Sequence, residues 1–352
     1  MLKAIQRHIR IPYTLVVFLV AASCTTLFAL TSKRVDFYYS SIGVQALTAF
    51  MPAFVVHTTQ GINNYIFRRC HMEILLFSLG TFGISLAMAT VFVTHRIADS
   101  TWPFRECLFF GLYMSCIERL PMSDALFEEG RYPVMTTMMK SEALFNAAVT
   151  WCIFDYYRFH YGDGFDPMFP LQNQVVAMLV GFLTGTATVW LLETASVFSE
   201  DSAINVIIFW NLLYDVTGTL ATCVSASYTT VLLIQYASTL DWEALWACYV
   251  VKVVIRSMAV VLLYPVIGPF GYQVTVRQAM VLAWTSVKET FLTTIATMQH
   301  MRRENVYTES ITKSYLYAIG DMVFTQLINV TFLPVVLSSM GAYAIATVTM
   351  FL

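Results

Sequence analysis

Ile11–Thr31 and Ile74–Thr94 each run without a single charged residue, and this constrains the chain more than anything else in it. As α-helices, rising about 1.5 Å per residue, both are long enough to cross a hydrocarbon core about 30 Å thick. Val175–Leu192, also free of charge, reaches the lower end of that range. Composition agrees: 58% of the residues are hydrophobic and 12% charged, where a soluble domain would carry about twice that charge. The expectation is an all-α polytopic membrane protein.

A net charge of −2 offers no basic face to collect phosphates, so nucleic acid is not an expected partner. The seven cysteines form no CxxC pair and fall mostly inside apolar segments, which reads as buried free thiols. Asn329-Val330-Thr331 spells a glycosylation sequon, but inside an apolar segment it reads as chance. No cleavable signal peptide pattern is present. Met1–Arg10 carries Lys3, Arg7 and Arg10, and no acidic residue precedes Asp36. That fits the start of an organelle-targeted chain, with the mitochondrial inner membrane as one home. It fits equally an interfacial helix that snorkels its cations beside the first span, in which case the plasma membrane serves as well.

The hydrophobic pattern divides into about ten spans over residues 11–337, in a single transmembrane domain (1–352) with no soluble domain. They are Ile11–Thr31, Val35–His57, Ile74–Thr94, Glu106–Phe127, Val134–Tyr157, Val175–Leu192, Ala203–Gln235, Ala244–Tyr264, Ala279–Met298 and Tyr315–Leu337. Gly162-Asp163-Gly164, with Pro167 and Pro170, is the clearest interruption. Ala203–Gln235 would extend about 50 Å as one helix, so it is tilted, kinked near Gly218, or two short helices. Gly181 and Gly185 form a small-xxx-small pattern, suited to close helix contact within the fold or in a homodimer. His57, His95 and His160 show no metal spacing, and no cofactor motif or Ser/His/Asp set stands out. No enzymatic chemistry, cofactor or metal is expected.

Inside Val134–Tyr157 lies Ser141-Glu142-Ala143-Leu144-Phe145-Asn146-Ala147-Ala148-Val149-Thr150. Glu142 and Asn146 are four residues apart, hence on one helix face, at a depth where charge is expensive and usually functional. The stretch resembles the Gly-Glu-Ser-Leu-Leu-Asn-Asp-Ala-Val signature of sodium/proton exchangers, in the monovalent cation/proton antiporter family. Other pieces follow in the family's order: Phe50-Met51-Pro52-Ala53-Phe54, Ile66-Phe67-Arg68-Arg69 as a short basic loop, and Leu126-Phe127-Glu128-Glu129. Phe209-Trp210, Gly218-Thr219-Leu220 and Gln326-Leu327-Ile328-Asn329 with Pro334 continue the series. Arg256 through Leu263-Tyr264-Pro265, Phe270-Gly271-Tyr272 and Leu282-Ala283-Trp284 look most like the plant salt-tolerance and sperm-type branch. The resemblance implies a sodium/proton-antiporter-like fold with crossing, discontinuous helices, and sodium or protons as cargo.

The departures are as telling. The signature's ion-binding aspartate falls on Ala147. The family's Asp-Pro in a broken helix becomes Glu118-Arg119-Leu120-Pro121, with Arg119 at the aspartate position. Its Gly-Leu-Arg-Gly becomes Ser286-Val287-Lys288-Glu289. Two helices between Val175–Leu192 and Ala203–Gln235, and the cytosolic regulatory tail, have no counterpart here. Exchange needs a carboxylate that takes either a proton or a cation, set among broken helices at the midplane. Asn146 offers an amide oxygen but does not titrate, and Ala147 offers neither. Glu142, Asn146, Ala147, Glu118 and Arg119 therefore read as the remnant of an ion site, and the resemblance implies a structural Glu142–Lys288 pair.

The reading that follows is a reduced, degenerate antiporter: no ordinary exchange, service as an accessory subunit among membrane proteins and lipids. The competing reading is an active antiporter, homodimeric, with the titrating role moved to Glu142 or Glu118. Asp155 and Asp321, also inside segments, read as solvated helix ends or locally hydrogen-bonded groups. Val276–Met298, free of Gly and Pro, is expected to form a more continuous helix than the family's.

Overall fold

The computed structural model describes residues 13–31, 44–45, 47–49, 51, 62–98, 102–117, 133–158, scattered positions from 172 to 187, 200–267, 275–284, 290–302, 309–330 and 332. All regular structure among the described residues is helical. The helices are α1 (Tyr13–Thr31), α2 (Asn64–Phe92), α3 (Phe104–Ser115), α4 (Pro133–Arg158), α5 (Glu200–Tyr236), α6 (Trp242–Ile267), α7 (Val276–Trp284), α8 (Thr290–Arg302) and α9 (Glu309–Phe324). Short π-helical turns extend α2 over Val93–Ile97 and α9 over Thr325–Val330.

Helix starts follow their capping chemistry. The Asn63 side chain accepts hydrogen bonds from the Tyr65 and Ile66 amides and opens α2, occupying donors a helix otherwise leaves free. This places Arg68 and Arg69 in the first turns of α2, both exposed, and not in the basic loop expected from the sequence. A capped helix extends into polar residues as long as they point outward. Asp241 caps α6 in the same way, accepting from the Glu243 amide at 2.9 Å and the Ala244 amide at 3.2 Å.

α5 resolves the question of its length: it is one continuous helix through Gly218, and the part long and apolar enough to cross a membrane is Leu212–Tyr236. Tyr65–Ile97 and Trp242–Pro265 meet the same condition among the described residues. α3 ends at Ser115, earlier than the apolar run suggested, because the chain turns extended at Cys116 (φ −68°, ψ 137°). Residues 285–289 lie outside the described residues, and with them the expected continuity from Val276 to Met298. On either side stand α7, packed on α6, and α8, packed on α5 and α9.

α2 is the hub, packing against α3, α4 and α6; α1 lies along α5, and α9 contacts α3, α5, α6 and α8. One apolar cluster draws on α3, α5, α8 and α9, including Phe110, Leu112, Ile295 and Met298. A second joins α2, α4, α6 and α7 through Ile74, Phe77, Met138, Val260 and Leu282. Gly111 lets α3 close on α2: a Cβ there would run into the Thr90 side chain and backbone. Gly181 has no such role, since nothing lies within 4 Å of where its Cβ would be. In lipid, helix association relies on such close packing and on polar contacts more than on the hydrophobic effect.

Candidate functional site

The face of α4 that carries the signature is buried: Ser141 and Thr150 are 0% exposed, Asn146 1% and Glu142 3%. It lies against α2. Ser78 of α2 donates to Asn146 Oδ1 at 3.4 Å and approaches the Glu142 carbonyl at 3.5 Å. Thr81, one turn on, donates to Glu142 Oε1 at 3.0 Å. Both hydroxyls face α4 because α2 places residues three apart on one side.

The partner of Glu142 comes from α6. Arg256 Nη2 lies 2.5 Å from Glu142 Oε1, and both side chains are almost completely buried. The guanidinium carbon also sits 5.4 Å from the centre of the Phe77 ring, which adds a cation–π contact. Lys288, the partner implied by resemblance, lies outside the described residues, as do Glu118 and Arg119. Ala147, where the resemblance places the aspartate, is 9% exposed. Among the described residues Ser141 Oγ, Asn146 Nδ2 and Thr150 Oγ1 have no hydrogen-bond partner. The carboxylate of Glu142 is thus held by a fixed cation and a hydroxyl, while the neighbouring amide keeps polar capacity unused.

A second buried pair stands one turn away on α6. Lys252 Nζ lies 3.1 Å from Asp321 Oδ1, hydrogen-bonds Oδ2 at 3.3 Å and donates to Thr325 Oγ1 at 2.7 Å. Asp321 is 0% exposed, so the expectation of a solvated helix end fails; a long-range ion pair holds it in the interior. The side chain of Asp155 lies outside the described residues. Lys252 and Arg256 are four apart and share a helix face. Together with Ser85, Met114 and Ser115 they line a small cavity, on the scale of a single water molecule.

A third polar feature follows α8. Thr290, Thr293, Thr294, Thr297 and His300 are all buried. Thr297 donates to Ser225 at 3.1 Å and meets Tyr315 OH at 3.1 Å, and Tyr315 in turn meets Thr229 at 2.8 Å. His300 bonds Tyr228 OH through Nδ1 at 2.7 Å and Thr312 through Nε2 at 3.2 Å. Hydroxyls return spare bonds to carbonyls four residues back, as at Thr229 and Thr294, which keeps polar side chains satisfied away from water.

Neither Lys252, Asp321 nor His300 was singled out as a site residue from sequence, and Arg256 entered only as the start of a resembling stretch. One signal was available. Lys252 and Arg256 are cations at helical spacing inside an otherwise charge-free apolar run, and such cations require buried carboxylates.

Comparison with known proteins shows what these features resemble. Residues 60–233 match the model of the transmembrane sodium/hydrogen exchanger family. Sodium/hydrogen exchanger 8 of Arabidopsis thaliana is 20% identical over 344 residues, covering 80% of this chain and 45% of that protein. The chain thus spans about half the length of that curated relative. The sodium proton antiporter MjNhaP1 of Methanocaldococcus jannaschii superposes with a TM-score of 0.65 at 10% sequence identity, over 93% of this chain and 95% of that one. At that identity the likeness establishes the fold alone. The ordered signature pieces and the matched family model make the chain similar to the sodium/hydrogen exchangers over residues 60–233; it shares the antiporter fold and is an integral membrane protein.

Proposed function

We propose that this chain is a degenerate member of its family, without ordinary sodium/proton exchange, serving as an accessory subunit in a membrane protein assembly. The observation that carries this is the state of the signature face. Ala147 stands where the resemblance places the family's ion-binding aspartate, and the carboxylate on the same helix, Glu142, is clamped by Arg256 at 2.5 Å and Thr81 at 3.0 Å. Exchange needs a carboxylate free to alternate between proton and cation. A buried carboxylate locked to arginine, a group that keeps its proton, is poorly suited to that role. This weighs against a relocated site at Glu142; Glu118 lies outside the described residues.

The accessory role draws support from the outer surface. Leu212, Val216 and Leu220 of α5 are exposed, as are Val175, Val176, Leu179, Val180 and Leu183, and Gly181 opens onto free space. This apolar flank offers a face to other membrane subunits or lipids. The basic, acid-poor start is compatible with an organelle inner membrane, the mitochondrial one among them, and equally with the plasma membrane. The chain performs no covalent catalysis in this reading.

The test is flux. Purified protein in liposomes, given a sodium or potassium gradient and followed with a pH-sensitive dye, is expected to show no cation-dependent proton movement. Exchange that saturates with cation and disappears in Glu142→Gln refutes the proposal and establishes an antiporter with a relocated carboxylate.

A further inference from the structure

We propose that the cavity between α2, α3 and α6 is a binding site for one water molecule, and that this water joins the two buried ion pairs into a single hydrogen-bonded unit. The inference stands apart from whether the chain exchanges ions, since it concerns a resident molecule and not cargo.

Three helices build the site. Ser85 and Ala89 come from α2, Met114 and Ser115 from α3, and Lys252 and Arg256 from α6. None of the six is more than 5% exposed. The cavity measures about 10 Å³, the space one water molecule needs and too little for a larger polar ligand. An apolar void stays dry, whereas a water settles where it finds two to four polar partners. Two polar atoms on the lining have no hydrogen-bond partner among the described residues, Ser85 Oγ and Arg256 Nε. Leaving a buried polar group unpaired costs its full desolvation, and more when the group is charged. The Arg256 Nε–H can only donate, and the Ser85 hydroxyl can donate or accept. Ser115 spends its own proton on the Leu112 carbonyl at 3.1 Å and keeps lone pairs that accept. A single water, with one oxygen and two protons, satisfies that set.

Electrostatics gives the water its role. Lys252 and Arg256 are four residues apart on one face of α6, where like charges repel. Each is held by its own carboxylate: Lys252 Nζ lies 3.1 Å from Asp321 Oδ1, and Arg256 Nη2 lies 2.5 Å from Glu142 Oε1. Both cations also line the cavity, so a water oxygen there offsets the repulsion between them. Asp321–Lys252 and Arg256–Glu142 then form one network across α9, α6 and α4, and the members of such a network respond together.

Hydroxyl-radical footprinting reads the site directly, with X-rays splitting water in place around the purified full chain in detergent. Methionine oxidation follows access to water, and Met114 lines the cavity although it is only 3% exposed. Met298, 0% exposed, is the dry control, and Met280, 67% exposed, is the wet one. Met114 is expected to label well above Met298. Ser85→Val and Ala89→Val each add methyl groups to the lining. Either should bring Met114 down to the level of Met298 and leave Met280 unchanged, with a thermal melt to confirm folding. A stability cycle then tests the bridge. Ser85→Ala removes one partner of the water, and Arg256→Lys removes the Nε donor while keeping a cation for Glu142. With the water linking the two side chains, the double variant should lose less Tm than the two single losses combined. Met114 labelling no stronger than Met298 in the parent, undiminished labelling in a folded valine variant, or additive losses in the cycle overturns the proposal.

Discussion

Replacing Glu142 by Gln tests what the buried pair on α4 and α6 contributes. The amide keeps the shape of the side chain and an oxygen for Thr81, whose hydroxyl lies 3.0 Å away. What it removes is the charge 2.5 Å from Arg256 Nη2. Arg256 is 3% exposed and does not shed its proton, so a full cation is left in the interior. Removing one partner of such a pair costs about 3–5 kcal/mol. Arg256→Met strands the carboxyl instead, and a carboxyl escapes by binding a proton. It should therefore cost less than Glu142→Gln, although both break the same contact. Glu142→Gln/Arg256→Met removes both charges and should recover most of the loss, because desolvation of two ions offsets much of their attraction. The assay is thermal unfolding in detergent at fixed protein and lipid concentration, where Glu142→Gln should lower Tm by about 5 °C or more. Additive losses in the double variant, or equal losses in the two single variants, would show that Arg256 and Glu142 are not coupled as the geometry requires.

Gly111→Val should destabilise the α2–α3 contact by about 1–3 kcal/mol, since its side chain would meet the Thr90 backbone; an unchanged Tm would place the two helices farther apart. His300→Ala should cost about 1–3 kcal/mol by leaving the buried Tyr228 and Thr312 hydroxyls without their partner. His300→Gln, which restores an acceptor and a donor, should recover part of that in the same melt, and no recovery would deny the hydrogen-bonding role. After mild solubilisation of tagged protein, native sizing should find it in a stoichiometric assembly with other membrane proteins. Migration as a lone monomer or simple homodimer would refute the subunit reading.

Much of this protein was written along the chain. Long charge-free runs in lipid must satisfy their backbone internally, and helices do so from local sequence alone. Thus α1, α4 and α6 begin and end within a few residues of the apolar runs that announce them. The signature around Glu142 is also local, and it was enough to indicate the family. Where polar residues can point outward, local reading falls short: Asn63 starts α2 well before the apolar run at Ile74. Tertiary structure alone decided which charges meet. Glu142 is paired with Arg256, 114 positions away, and Lys252 with Asp321, 69 positions away; no periodicity encodes partners at such separations. Sequence could state only that cations inside an apolar helix need anions. The crossing of α4, α6 and α9 around α2 and α3 determined which carboxylate each received, and the same packing made Asp321, which read as a helix end, one of the most deeply buried charges among the described residues.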